Sequence, residues 1–284
     1  KYIVEKSLCE SEYKDIEIPV KWKHRCPDKH VITVVQGGRL GNQLWEYASV
    51  WAVAKATNRE AFVPSCMIDR LSYIFKNVTR IPPLKYIEDC KVEYKRIRNV
   101  LEIEKATGSI ILRKWIQLPD YVVLYINEIA ELFQFQDHIT EKSQDILRKV
   151  SAGVKYPVFV AVHVRRTDYK GYLKTKLNAS LVTEDFFIRQ MNYLRNKYFK
   201  VLFIVLSDDP SWCEKKLKSN DTFVLKGNSA EQDLSIMANC NHTIFDYGTY
   251  GKWGALLTGG DTYLYNVETN KKLASLLPNS HLVM

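Results

Sequence analysis

What most constrains this chain is a series of short apolar segments that alternate with helical patterns through its second half. Val158–Val164 is hydrophobic at almost every position, as a strand buried on both faces of a parallel sheet must be. Val201–Leu206, Thr222–Leu225 and His242–Phe245 repeat that character. Between the first two, Thr183 stands at the N-cap position of a helix with Glu184 and Asp185 in its first turn and Phe187, Met191, Leu194 and Tyr198 along one face. Ser229-Ala230-Glu231-Gln232 has capping-box spacing and opens a helix that runs to Cys240. Gly251–Thr258 reads as a short helix ended by Gly259-Gly260. Strands alternating with helices predict an α/β fold with a parallel, doubly wound sheet.

The first half opens the same way. The β-branched run Val31–Val35 leads into Gln36-Gly37-Gly38-Arg39-Leu40-Gly41-Asn42-Gln43, and Leu44–Thr57 is apolar almost all round, as in a helix buried on most faces. Strand, glycine loop and helix make the start of a Rossmann-like unit. Residues 60–120 carry no clear period, and 120–150 read as one or two helices with Val122, Ile126, Ile129 and Phe133 at helical spacing. Ser151-Ala152-Gly153 and Pro157 break the pattern. The expected division is therefore a stem or cap over 1–30, a Rossmann-like domain over 31–155, and a second over 156–284 that ends in a tail, with a cleft between the two.

Composition narrows the partners. Across 284 residues, 41 Lys+Arg against 32 Asp+Glu leave a net charge of +9, which suits an anionic ligand as well as an ordinary basic surface. The basic residues are scattered, with Lys95-Arg96-Ile97-Arg98 the densest group, so a nucleic-acid partner is not expected. No apolar run approaches the roughly 18 residues of a membrane span. The six cysteines contain no C-x-x-C, which argues against zinc-ribbon and thioredoxin readings, and their even number fits disulfides. N-x-[ST] sequons at Asn77, Asn178, Asn220 and Asn241 favour the secretory lumen. The polar start at Lys1 is what a trimmed ectodomain would show.

Two loops and a strand end concentrate the chemistry. Gly37, Gly38 and Gly41 follow a strand, where glycines either make a tight turn or let backbone N–H groups approach an anion. The spacing is not that of a dinucleotide fingerprint. His163-Val164-Arg165-Arg166-Thr167-Asp168-Tyr169 sits at the carboxyl end of a buried strand, where open α/β sheets bind ligands. One arginine there is suited to fork onto a diphosphate, and the other to pair with Asp168 and fix the loop. His163 fits a satisfied core histidine as well as a ligand contact. Ser207-Asp208-Asp209 ends the next strand, positioned to cap the helix at Pro210 or to meet a base or ribose. Asp233 fits a solvated helix face or a purine edge, and Gly248-Thr249-Tyr250-Gly251 is a second candidate phosphate cradle. No D-x-D, H-E-x-x-H, G-x-S-x-G or P-loop string occurs, so the expected chemistry neutralises a leaving group with arginine and helix dipoles, without a metal.

The strings GGRLGNQLWEYAS, HVRRTDY, LSDDPSWCEKKL and SAEQDLSIMANCNHTIFDYGTYGKWGALLTGGDT resemble the α-1,2-fucosyltransferases of glycosyltransferase family 11, in the family's order and over roughly residues 31–265. Thr167 stands where many members carry glycine. The resemblance implies a GT-B-like fold, GDP-β-L-fucose as donor, inversion at the anomeric carbon and no metal or cofactor. It also implies an acceptor with a terminal galactose and the Golgi lumen, as the ectodomain of a type II membrane protein held to the bilayer only by an N-terminal anchor outside this chain. The 31–155 domain becomes the acceptor side and 156–284 the GDP-fucose side. By carry-over Arg165 contacts the donor diphosphate, His163 and Asp233 lie by the guanosine, and Thr249 and Tyr250 line the phosphate pocket. Gly38, Arg39, Gly41 and Asn42 reach towards the donor, with Arg166, Ser207 and Asp208 completing the set.

A single displacement follows, with Asp168 as nominal base and Glu231 as rival. The alternatives are a fucosyltransferase acting on protein or core-glycan hydroxyls, and a module that binds nucleotide-sugar or glycan without turnover. Asn241, inside the most family-like string, is expected to be kept free of glycan by packing, with its amide satisfying loop backbone groups.

Overall fold

The computed structural model describes residues 5–10 and 22–284, which form two compact units, Lys1–Gln136 and Asp137–Met284. The first unit is built on four parallel strands, β1 (Val31–Val34), β2 (Glu60–Ala61), β3 (Tyr94–Ile97) and β4 (Ser109–Leu112), in the order β2-β1-β4-β3. β1 and β4 are buried at every position, as their apolar sequences require. The helix Leu40–Thr57 packs on this sheet with Leu44, Trp45, Tyr47 and Ala48 fully buried. It begins at Leu40, so Gly41 and Asn42 belong to its first turn and not to the preceding loop. The stretch 60–120 hid its strands because β2 spans two residues and β3 is an edge strand whose central Lys95 and Arg96 are exposed.

The described part of the expected 1–30 stem is stitched into this first unit. Disulfides join Cys9 to Cys66 and Cys26 to Cys90, Leu8 is buried, and the Leu8 carbonyl accepts from Gln36 N at 2.8 Å. Cys213 and Cys240 are buried free thiols in the second unit. The division between units also falls earlier than the sequence suggested. The helix Asp137–Val150 belongs to the second unit, because its Ser143 hydroxyl is bonded to Ser235 (2.8 Å) and Gln232 (2.6 Å) of the helix Ala230–Ala238.

The second unit carries six parallel strands: β5 (Val158–Val164), β6 (Val201–Ser207), β7 (Thr222–Val224), β8 (His242–Phe245), β9 (Thr262–Tyr265) and β10 (Ser280–Val283). Their order is β10-β9-β8-β5-β6-β7. The chain runs outward from β5 to β7, returns to place β8 beside β5, then runs outward to the other edge. That is the doubly wound Rossmann order, with its reversal between β5 and β8. The expected tail contains β9, the helix Glu268–Leu276 and β10, which the sequence reading did not resolve.

The capping signals divide. Asp209 accepts from Trp212 N at 3.1 Å and Ser229 from Gln232 N at 3.4 Å, whereas Thr183 holds the N-cap position without a cap bond. Asn241 uses its side-chain oxygen to accept from Phe159 N at 2.8 Å, the structural use expected of its amide. The residue is nevertheless exposed at the amino end of β8, so burial does not shield it from a glycan.

Candidate active site

β5 and β8 lie side by side with His163 opposite Phe245, so the residues that follow each strand emerge together at the carboxyl edge of the sheet. Two adjacent arginines there carry like charges, and carboxylates settle them. Asp208, at the end of β6, accepts from Arg166 N (2.8 Å), Thr167 N (3.1 Å) and the Thr167 hydroxyl (2.5 Å), and lies 3.4 Å from Arg165 Nε. Burial alone would raise its pKa, but the Thr167 hydroxyl, the Arg166 N–H and the Arg165 charge hold it below the ordinary carboxylate range. Arg166 turns inward: its guanidinium stacks 3.8 Å above the Trp212 ring and donates to the Val182 carbonyl at 3.1 Å. Arg165 keeps an accessible end and donates to Asp168 at 2.6 Å. Asp168 therefore pairs with the outer arginine, and the inner one is an anchor for the loop.

A second carboxylate works from the other strand. Asp246, the first residue past β8, is buried and accepts the Arg165 N–H on both oxygens (3.1 and 2.9 Å) and the Tyr247 N–H on one (2.6 Å). Burial pushes its pKa up to about 8 against the pull of those donors. The His163 ring lies behind, its Nδ1 3.9 Å from Asp246, and burial together with the Arg165 charge lowers its pKa to about 4. His163 is thus a neutral, buried histidine. Gly251 permits this packing, since a Cβ there would stand 2.9 Å from His163 Nδ1.

The helix Gly248–Thr258 begins directly after Asp246 and Tyr247, and no side chain caps it. Its first N–H groups and positive dipole end therefore face the same edge as Arg165, an arrangement suited to an anion. Tyr250, in the first turn, places its ring 5.4 Å from His163 and donates its hydroxyl to the Ala230 carbonyl. Asp233 lies in the helix Ala230–Ala238, bonded to Asn228 Nδ2 at 3.0 Å, and burial pushes its pKa up to about 6. The edge so built offers a guanidinium, a helix N-terminus and a partly buried carboxylate, which match a diphosphate and a hydrogen-bonding base.

The family model for glycosyl transferase family 11 matches residues 6–275. The chain belongs to that family. The galactoside 2-alpha-L-fucosyltransferase SEC1 of Bos taurus is 30% identical over 260 residues, covering 87% of this chain and 70% of its own length. The galactoside alpha-(1,2)-fucosyltransferase 2 of Gorilla gorilla gorilla is 34% identical over 251 residues, 81% and 70% of the two lengths. Among solved structures, POFUT1 in complex with GDP superposes with a TM-score of 0.56 at 13% identity, over 85% of this chain and 99% of that one. The NodZ alpha-1,6-fucosyltransferase co-crystallized with GDP gives 0.55 at 15%, over 84% and 96%. These likenesses agree with the GT-B-like α/β fold expected from the sequence.

The structure places the residues singled out in the sequence unequally. The second unit brings His163, Arg165, Asp168, Asp233, Thr249 and Tyr250 to one region. Arg166 and Asp208 are there but hold the loop, and the Ser207 hydroxyl accepts from Asp209 N at 2.9 Å, so these three serve as framework. Gly38, Arg39, Gly41 and Asn42 lie in the first unit. The Gly37 N–H is taken by buried Glu46 (3.1 Å) and the Gly38 N–H by Glu10 (2.8 Å), so this pair offers no open anion cradle. Gly38 has φ of 71°, and a Cβ on it would meet Asn42 Nδ2 at 2.4 Å, which makes glycine a packing requirement.

Asp246 and Trp212 were missed although both lie inside family-like strings. A lone carboxylate after a strand has no distinctive spacing. Replacing Asp246 with asparagine leaves one acceptor oxygen and turns an NH₂ towards N–H donors. We expect Asp246→Asn to lower unfolding free energy by about 1–3 kcal/mol in urea titrations. Unchanged stability would mean the carboxylate does not hold the arginine loop.

Proposed function

We propose that this chain transfers L-fucose from GDP-β-L-fucose to the 2-hydroxyl of a terminal galactose, with inversion to the α-linkage. The observation that carries the reading is Arg165, anchored by Asp246 and Asp208 at the β5/β8 reversal beside an uncapped helix N-terminus, in a family-11 chain. The acceptor oxygen forms a bond to the anomeric carbon as the bond from that carbon to the diphosphate oxygen breaks. Arg165 and the first N–H groups of Gly248–Thr258 take up the charge that develops on the leaving GDP. The acceptor proton goes to Asp168. Its ion pair with Arg165 gives the choice a reason: a proton gained there releases the guanidinium just as the diphosphate becomes more anionic. On this reading the cations that neutralise the leaving group belong to the protein, and no metal or cofactor is needed. The disulfides, the sequons and the relatives support a place in the lumen of the secretory pathway, at the Golgi. Among the described residues no helix is long and apolar enough to cross a membrane.

Labelled GDP-fucose and a lactose acceptor, after dialysis against EDTA, provide the direct test. Transfer to the galactose 2-hydroxyl is expected. Donor bound without turnover, or transfer that appears only on adding Mn²⁺, would overturn the proposal. Arg165→Ala should lower kcat by about 10²–10³ with the fold intact. Arg165→Lys should also be poor, because an ammonium lacks the bidentate fork. Activity within a few-fold of wild type for either would exclude Arg165 from the site.

Asp233 is assigned to the guanine edge, where only its ionised form accepts two donors. With a pKa near 6, it is protonated as pH falls below that value, so affinity for guanosine should drop about tenfold per unit there. Guanosine avoids the titration of phosphate. The profile should flatten in Asp233→Asn, and a wild-type profile flat through pH 6 would remove Asp233 from base recognition.

A further inference from the structure

A concave site of about 450 Å³ lies in the first unit, and none of the residues assigned above lines it. Its walls include Ala54, Lys55 and Asn58, at the carboxyl end of the helix Leu40–Thr57, whereas the glycine loop lies at the other end. Eighteen helical residues separate the two by about 27 Å. The volume falls within the roughly 300–1,000 Å³ of small-ligand pockets.

Charge and ring chemistry are concentrated here. Trp22, Trp51 and Tyr86 line the cavity, and the Trp22 indole is fixed by its bond to the Thr79 carbonyl at 3.0 Å. Five cations share the wall with one carboxylate, Glu60. Three of them are balanced: Arg25 by Asp28 and Glu60, Lys55 by Glu128 at 2.7 Å, and Arg80 by Glu131 at 3.5 Å. Arg59 and Lys23 have no carboxylate partner among the described residues. Arg59 is held instead by carbonyls, donating to Gly108 O at 3.0 Å and to Ala106 O at 2.5 Å. Its guanidinium is thus fixed in place while its charge remains unmatched, which lowers the entropy cost of receiving an anion. A partly buried arginine with no counter-ion among the described residues, beside tryptophan and tyrosine rings, matches a ligand with one apolar face and one negative group.

We propose that this cavity binds an acidic pyranoside, a sugar residue bearing a carboxylate or a sulfate, with the ring against the aromatic wall and the anion on Arg59 and Lys23. The site is independent of fucose transfer, and binding there requires neither donor nor acceptor. It would hold a glycoconjugate by an acidic branch.

The test uses nitrogen-15 labelled protein without GDP-fucose, titrated with 3′-sialyllactose, lactose 3′-sulfate, lactose and inorganic sulfate. The Trp22 and Trp51 indole N–H signals are expected to shift with the two acidic sugars, at least about tenfold more tightly than with lactose, the size of one charge-assisted contact. Preference between carboxylate and sulfate names the natural anion. Lys23→Glu, at an exposed position, should weaken acidic-sugar binding about tenfold and leave transfer to lactose unchanged. Arg165→Ala should leave this binding intact. The proposal fails if lactose binds as tightly as the acidic sugars, if sulfate alone reproduces their affinity, or if Lys23→Glu has no effect.

Discussion

Two adjacent guanidinium groups at a strand end repel each other, and the active edge of this protein exists because carboxylates take hold of the backbone between them. Asp246 grips the Arg165 N–H from β8, and Asp208 grips the N–H groups of Arg166 and Thr167 from β6. The loop after β5 is thereby tied to both neighbouring strands. Arg166 can then spend its charge on Trp212, Val182 and nearby Asp209, which leaves Arg165 as the arginine with an accessible end. The same device positions a helix N-terminus, because Asp246 and Tyr247 immediately precede the uncapped helix Gly248–Thr258. One set of backbone contacts thus sets the spacing between a guanidinium and a helix dipole.

The first unit uses the device again, with a different outcome. Glu46 is fully buried, its pKa pushed up to about 8 by that burial, and it accepts from Gly37 N and Trp115 N. Glu10 adds Gly38 N and the Lys114 ammonium, which draws its pKa below the ordinary range. The two glycine N–H groups of this strand-to-helix loop are therefore occupied from within the fold. Its glycines are demanded by close packing against Asn42, Trp115 and Lys114. The helices after both loops begin without a side-chain cap, but in the first unit carboxylates take the glycine N–H groups that precede the helix.

The legible parts of the chain were those whose local chemistry is one-sided. β5 and β6 announce themselves because strands buried on both faces tolerate almost no polar residue. The helices opened by Asp209 and Ser229 were readable from their caps. β2 and β3 were not, since two residues carry no period and an edge strand exposes lysine and arginine. β10 was lost for a related reason, as an edge strand with exposed His281 and Leu282, and the buried β9 is only four residues long.

The sequence by itself determined the parallel α/β class, the family, and the placement of an arginine pair at a strand's carboxyl end. These depend on hydrophobic runs and on strings of neighbouring residues, which are local properties. Only the tertiary structure decided which arginine stacks on Trp212 and which keeps an accessible end, because that depends on Asp208, Asp246 and Trp212, each more than forty positions away in the chain. It likewise decided that Asp168 pairs with Arg165 and that the Gly37 and Gly38 N–H groups are already occupied. A carboxylate has the same appearance in sequence whether it faces solvent, a ligand or a backbone N–H. Its partner is chosen by which strands the sheet sets side by side.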